Sequence, residues 1–156
     1  MTDAISGGAD RQDPLRLDFG DAASNALLAA WILALGASLA VLFIGEIMGQ
    51  APCNLCWYQR IAMLPLAVIL GVAAWRGDLD VWRYALPVAG IGLLLAGFHS
   101  LVYYGVIPEA IAQCGAGPSC TDADMTILGI AIPVLSLAAF LGLVVLLLAV
   151  RKGAAT

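Results

Sequence analysis

Four apolar segments dominate this chain, at about residues 25–48, 56–75, 81–104 and 125–150. About 20 helical residues, rising 1.5 Å each, are needed to cover the roughly 30 Å of bilayer hydrocarbon. Asn25–Met48 carries only Glu46 as a charged residue and would extend roughly 36 Å as a helix. Backbone polar groups inside lipid must be satisfied by the segment itself or by a closed barrel. These runs are continuously apolar and do not alternate, so helices are expected. The expectation is an all-α integral membrane protein, a four-transmembrane-helix bundle over residues 25–152 after a disordered tail at 1–24. A secretory signal peptide is disfavoured, because the N-terminal flank is acidic and the run that follows is too long.

Charge placement predicts the orientation. Arg11, Arg16, Arg76, Arg83, Arg151 and Lys152 fall on one side of the expected bundle, and only Arg60 on the other. Cytoplasmic segments carry the excess of Lys and Arg, so both termini and the 76–83 turn are expected in the cytoplasm. The net charge of −4 describes the tail, which holds Asp3, Asp10, Asp13, Asp18 and Asp21 of the eleven acids. With no basic cluster, nucleic acid is not an expected partner.

The four cysteines form two pairs, Cys53/Cys56 and Cys114/Cys120, both on the side opposite the positive charge. That side is oxidising when it is a periplasm or its equivalent. The first pair lies in Cys53-Asn54-Leu55-Cys56-Trp57-Tyr58-Gln59-Arg60, at the mouth of the second span. Arg60, four residues beyond Cys56, shares its helix face and would favour a thiolate there. With few apolar residues after it, Arg60 is expected to snorkel at the interface. Glu46, Arg60 and His99 fall at one depth, on the cysteine side. Ionisable groups there mark a site or pair with one another, and Glu46 also suits a simple interfacial carboxylate.

Other features have structural readings. Trp57, Tyr58, Tyr103 and Tyr104 suit an aromatic belt, with Tyr58 also within reach of a ligand. Pro65 and Pro133 are expected kinks, Pro65 alternatively marking a first turn. Gly45-x-x-x-Gly49 permits close helix approach, and Asp122 or Asp124 could cap the fourth helix.

Three chemistries suit the cysteines. Structural disulfides are possible, but a Cys-x-x-Cys ring is a poor long-range staple. A four-cysteine zinc site fits the count, yet competes with oxidation on the outer face. A redox relay uses one pair at the membrane and one on the 105–124 loop for thiol–disulfide exchange. The chain has no Gly-rich nucleotide loop, haem attachment motif or ferredoxin cysteine array. A membrane quinone, held by Arg60 with His99 and Tyr58 as further candidates, is the acceptor that this site would suit.

These residues resemble the DsbB family, disulfide bond formation protein B, and its short BdbC-like form most of all. The resemblance rests on four spans, the Cys53–Arg60 block and a second cysteine pair before span four. It runs from span one through Pro133. It implies a protein-dithiol:quinone oxidoreductase of the bacterial inner membrane, cysteine loops periplasmic, using ubiquinone or menaquinone. Its implied partner is a DsbA-like thioredoxin-fold oxidase. By position, Cys114 would form the mixed disulfide with that partner, with Cys120 its companion. Electrons would pass to Cys53–Cys56, with Cys56 reacting with a quinone held by Arg60, and His99 matching a histidine of the short forms. The chain departs from longer members in the brief Cys114–Cys120 interval, and in Gln59, where some members have an acidic residue. A non-enzymatic scaffold with a zinc site or disulfide clasp is the competing class. An outward reductive conduit would place its cysteines within the membrane instead.

Overall fold

The computed structural model describes residues 22–108, 126–127 and 129–154. Residues 1–21 of the tail, Cys114, Cys120, Asp122 and Asp124 lie outside the described residues, while Ala22–Ser24, expected in the tail, belong to the first helix. Four helices are long and apolar enough to cross a membrane. Helix α1 spans Ala22–Leu42 and continues as a π-helical stretch, Phe43–Ile47. Helix α2 spans Asn54–Arg76, α3 Trp82–Tyr103 and α4 Ile132–Ala154.

The helices form a closed ring in chain order: α1 packs on α2 and α4, and α3 on the same two. Small residues line the seams. Ala30, Ala34, Ala85, Ala89 and Ala96 are fully buried, while Leu94, Val68 and Ile91 are exposed on the outside. Lipid is as apolar as leucine, so little is gained by hiding large side chains. Close backbone approach through small residues supplies the packing instead.

The helix ends have local causes. Gly77 closes α2 in the left-handed conformation (φ 66°), its N–H donating to the Ala73 carbonyl. Asp78 then accepts the Asp80 N–H at 3.0 Å, opening a 3₁₀ turn at Leu79–Val81 that leads into α3. At this end of the bundle Arg83 and Arg151 both lie over the Trp82 ring, and Gly153 abuts Ala23. Arg76, Arg83, Arg151 and Lys152 are therefore gathered at one end, opposite Arg60.

Two expectations change. The fourth helix begins at Ile132, not near Met125. Thr126–Ile127 instead pairs antiparallel with Ile130–Ala131, around a turn where Gly129 has φ 81°. The β-branched residues and the glycine favour that hairpin over helix. Pro133 accordingly lies in the first turn of α4, where its missing N–H costs nothing, rather than at a kink. Pro65 and Pro87 do lie inside helices α2 and α3.

The tightest seam is between α3 and α4, where a Cβ on Gly92 would enter the ring of the fully buried Phe140. Gly92→Ala is expected to cost about 1–3 kcal/mol by overpacking, read as earlier thermal unfolding in detergent. Unchanged unfolding would mean that the α3–α4 seam is looser than this.

Candidate functional site: a thiol pair beside an apolar cavity

The first turn of α2 explains the spacing of the first cysteine pair. Cys53 occupies the N-cap (φ −69°, ψ 167°), and its Sγ accepts the Cys56 N–H at 3.4 Å. An N-cap side chain reaches the N–H two or three residues on, so the Cys-x-x-Cys interval brings both cysteines to one helix start. The two Sγ atoms are 3.0 Å apart as free thiols. The helix N-terminus favours negative charge on sulfur.

Behind the thiols runs a chain of hydrogen bonds through three helices. His99 Nε2 is 3.8 Å from Cys53 Sγ, and His99 Nδ1 is 3.1 Å from Gln59 Nε2. Ser136 Oγ donates to Gln59 Oε1 at 2.6 Å. Cys53 and His99 are fully buried and Gln59 nearly so. Among the described residues no buried side-chain nitrogen or oxygen lacks a partner. Cys53 caps α2 just ahead of the spanning helix. The hydrogen bond with the Cys56 thiol draws its pKa below the usual thiol value; burial opposes this, and His99 and the Cys56 N–H reinforce it.

On the other side of Cys56 lies a cavity of about 360 Å³ between α1, α2 and α4. Its walls are mostly apolar (Val41, Ile44, Met63, Ala139 and Phe140 among them), with Cys56, Gln59 and Arg60 on the α2 side and Ser136 on α4. Ala40 and Leu135, exposed on the outer surface of the bundle, form part of its rim. The volume falls within the roughly 300–1,000 Å³ of small-molecule sites.

Arg60 does not simply snorkel. Its Nη2 donates to the Val41 carbonyl at 3.1 Å, just ahead of the π-helical stretch of α1, and its guanidinium lies over Trp57. Gly45 makes this possible, since a Cβ there would fall 3.0 Å from Nη1 and 3.1 Å from Nη2. The close approach expected of Gly45 is thus to an arginine side chain. Glu46 is exposed, and no Arg60–Glu46 ion pair occurs among the described residues.

The structure therefore gathers Cys53, Cys56, Arg60 and His99. Tyr58 is exposed and is not among the residues lining the cavity; Trp57 and Tyr104 are exposed as well. His99 does not line the cavity but touches Gln59, which does, and Cys53. Sequence reasoning missed Ser136, whose only signal was a hydroxyl within an apolar span. It noted Gln59 without seeing that it is buried between helices. The donor atoms of Cys53, Cys56 and His99 lie within 4.8 Å of one another, which also suits a metal. Two thiolates on a tetrahedral zinc would stand about 3.8 Å apart, given Zn–S near 2.3 Å. The sulfurs here are closer, in the geometry of a thiol pair.

Two thiols sharing a hydrogen bond titrate as a pair. In reduced protein carrying Cys114→Ser and Cys120→Ser, thiolate ultraviolet absorbance is expected to show an early first step. It lies below the ordinary thiol value of 9.0, because the shift of Cys53 is downward. Adding Cys53→Ser should remove that step. A single step at the ordinary value would contradict the arrangement.

Comparison with known proteins agrees with a four-helix membrane fold. The family described as "Disulfide bond formation protein DsbB" matches residues 23–150. A probable disulfide formation protein of Metapseudomonas resinovorans is 52% identical over 130 residues, covering 82% of this chain and 90% of the relative. Disulfide bond formation protein C of Bacillus subtilis is 41% identical over 128 residues, covering 81% and 92%. A probable disulfide formation protein of Deinococcus radiodurans is 44% identical over 124 residues, covering 73% and 80%. No solved structure is significantly similar to the chain. The chain is a multi-pass membrane protein and belongs to the DsbB family of disulfide bond formation proteins.

Proposed function

We propose that this protein is a thiol:quinone oxidoreductase of the bacterial inner membrane that reoxidises a periplasmic, DsbA-like thioredoxin-fold oxidase. The observation that carries this reading is Cys56 and Arg60 on one wall of an apolar cavity whose rim reaches the outer surface of the bundle. An apolar ring diffusing in the bilayer can enter such a cavity without crossing water. A quinone, when bound, accepts two electrons and two protons. The cavity fits that group in volume and apolar lining, with a cation at one side and a thiol at another. Ubiquinone and menaquinone suit it alike.

This chain's residues then have distinct tasks. Arg60, anchored on Val41 and Trp57, offers fixed positive charge where negative charge would develop on a ring oxygen. Cys56 presents its sulfur to the cavity. Cys53 lies 3.0 Å away, placed to close the disulfide as the pair is oxidised. Cys114 and Cys120 are proposed to exchange with the partner oxidase and pass its electrons to the first pair. The gathering of Arg76, Arg83, Arg151 and Lys152 at the opposite end supports a periplasmic placement of the thiols.

The competing reading, a non-enzymatic scaffold, draws on the Cys53–Cys56–His99 cluster. Zinc analysis of anaerobically purified protein separates the two. Stoichiometric zinc bound through the cysteines, with no turnover, would sink the oxidoreductase.

With a reduced thioredoxin-fold oxidase as donor, optically followed quinone reduction is expected to vanish in Cys56→Ser and in Cys114→Ser. Arg60→Ala should raise the apparent KM for quinone roughly 10- to 100-fold, the equivalent of the ~1.5–3 kcal/mol of a charge-assisted hydrogen bond. Gly45→Ala, which displaces the guanidinium slightly, should shift KM the same way by less. An unchanged KM in Arg60→Ala would remove Arg60 from the quinone site.

A further inference from the structure

We propose that Ser136 and Gln59 are positioning residues that lock His99 into the neutral tautomer carrying its proton on Nε2, aimed at Cys53 Sγ. The inference deepens the oxidoreductase reading, on which its purpose rests, but the bonding pattern stands on its own distances.

The argument starts from the Ser136–Gln59 contact. At 2.6 Å it fits O–H···O, for which about 2.7–2.8 Å is typical. It is too short for an amide N–H on a hydroxyl oxygen, which lies near 2.9–3.0 Å. The amide oxygen of Gln59 therefore faces Ser136, and its NH₂ faces His99 Nδ1 at 3.1 Å. An amide nitrogen only donates, so Nδ1 must accept. That leaves the single ring proton on Nε2, which is 3.8 Å from Cys53 Sγ.

Burial turns this preference into a lock. His99 is fully buried, so water is poorly placed to satisfy a reversed ring, while Gln59 and the half-buried Ser136 border the cavity. Reversing the tautomer would set an N–H of His99 against the N–H of Gln59. Reversing the amide would break the short bond from Ser136. Helix α3, which carries His99, packs on both α2 and α4, so the ring is held between the two helices that carry Gln59 and Ser136. Ser136 on α4 thus controls, through Gln59 on α2, the proton position of a histidine on α3.

The consequence is specific to Cys53. Its sulfur receives the Cys56 N–H, lies against the Cys56 thiol, and faces the His99 Nε2–H. His99 so held is a donor to a negatively charged sulfur and not a base toward it. These residues make and break no bond, and the ring proton stays on Nε2.

The chain contains one histidine, so the test needs no assignment. In detergent-purified reduced protein labelled with ¹⁵N-histidine, the imidazole nitrogens are expected to show a protonated Nε2 and a bare Nδ1. Gln59→Leu and Ser136→Ala should give a mixture of tautomers. Gln59→Glu, which offers Nδ1 an acceptor, should place a proton there. In turnover, Gln59→Leu and Ser136→Ala should lower kcat roughly tenfold, the order that partners orienting a functional histidine carry; both side chains also line the cavity, so the tautomer spectrum, and not KM, separates the lock from a lost quinone contact. A wild-type ring protonated on Nδ1 would overturn the proposal, as would a single Nε2–H tautomer retained in both variants. The wild-type spectrum needs no variant to fold and no quinone. If the spectrum is as expected and wild-type protein reduces no quinone, the lock stands and the oxidoreductase reading fails.

Discussion

Inside a bilayer a polar group finds no water, and every one that enters must bring its partner with it. That constraint organises this molecule more than packing does. The seams between helices are lined by alanine and glycine and would close around many sequences of similar size. The polar groups allow fewer arrangements. Ser38 returns to a carbonyl one turn back in its own helix, and Ser100 does the same while also reaching the Pro133 carbonyl of α4. Gln59, His99 and Ser136 instead satisfy one another across three helices, which fixes how α2, α3 and α4 face each other. Such a network is costly if one member is missing, so its position at the thiols couples the fold to the chemistry.

Arg60 illustrates the same constraint on a charge. A guanidinium this close to the hydrocarbon could be expected to reach for the interface, yet it turns sideways into α1. The Val41 carbonyl, the face of Trp57 and the bare backbone at Gly45 together make a seat for it. The π-helical stretch beginning two residues beyond Val41 belongs to this seat, since such stretches often mark functional sites. A flexible snorkelling arginine would offer its charge anywhere. A seated one offers it at one point of the cavity wall, beside Cys56.

Much of the fold was legible in the sequence because lipid imposes a length and an absence of charge that read directly from the chain. The four helices, the cysteine pair at the start of the second and Arg60 behind Cys56 all follow from local spacing. The start of α4 did not, because hydropathy cannot tell a short apolar hairpin from a helical turn; Gly129 and Pro133 were the available signals. Ser136 was not legible for a different reason. Its partner lies 77 residues away, and a lone serine in an apolar run has many ways to be satisfied. Gln59 was visible as an oddity next to Arg60, but its meaning depends on His99 from a third helix. Local pattern locates the thiols, whereas the groups that orient them are defined only by the fold.

This division suggests why the two sulfurs, three residues apart, meet different surroundings. Cys53 is enclosed, with the helix cap, His99 and Cys56 all directing hydrogens toward it. Cys56 is half-buried and turned to the cavity that Arg60 shares. One turn of helix is enough to separate the two environments, because the cap position faces into the bundle and the N3 position faces out of it. The short interval between the cysteines thus does two things at once. It keeps the sulfurs close enough to join, and it places one against a fixed donor and the other against an apolar space open to the lipid side. A longer interval would lose the first property, and a pair placed within a loop would lose the second.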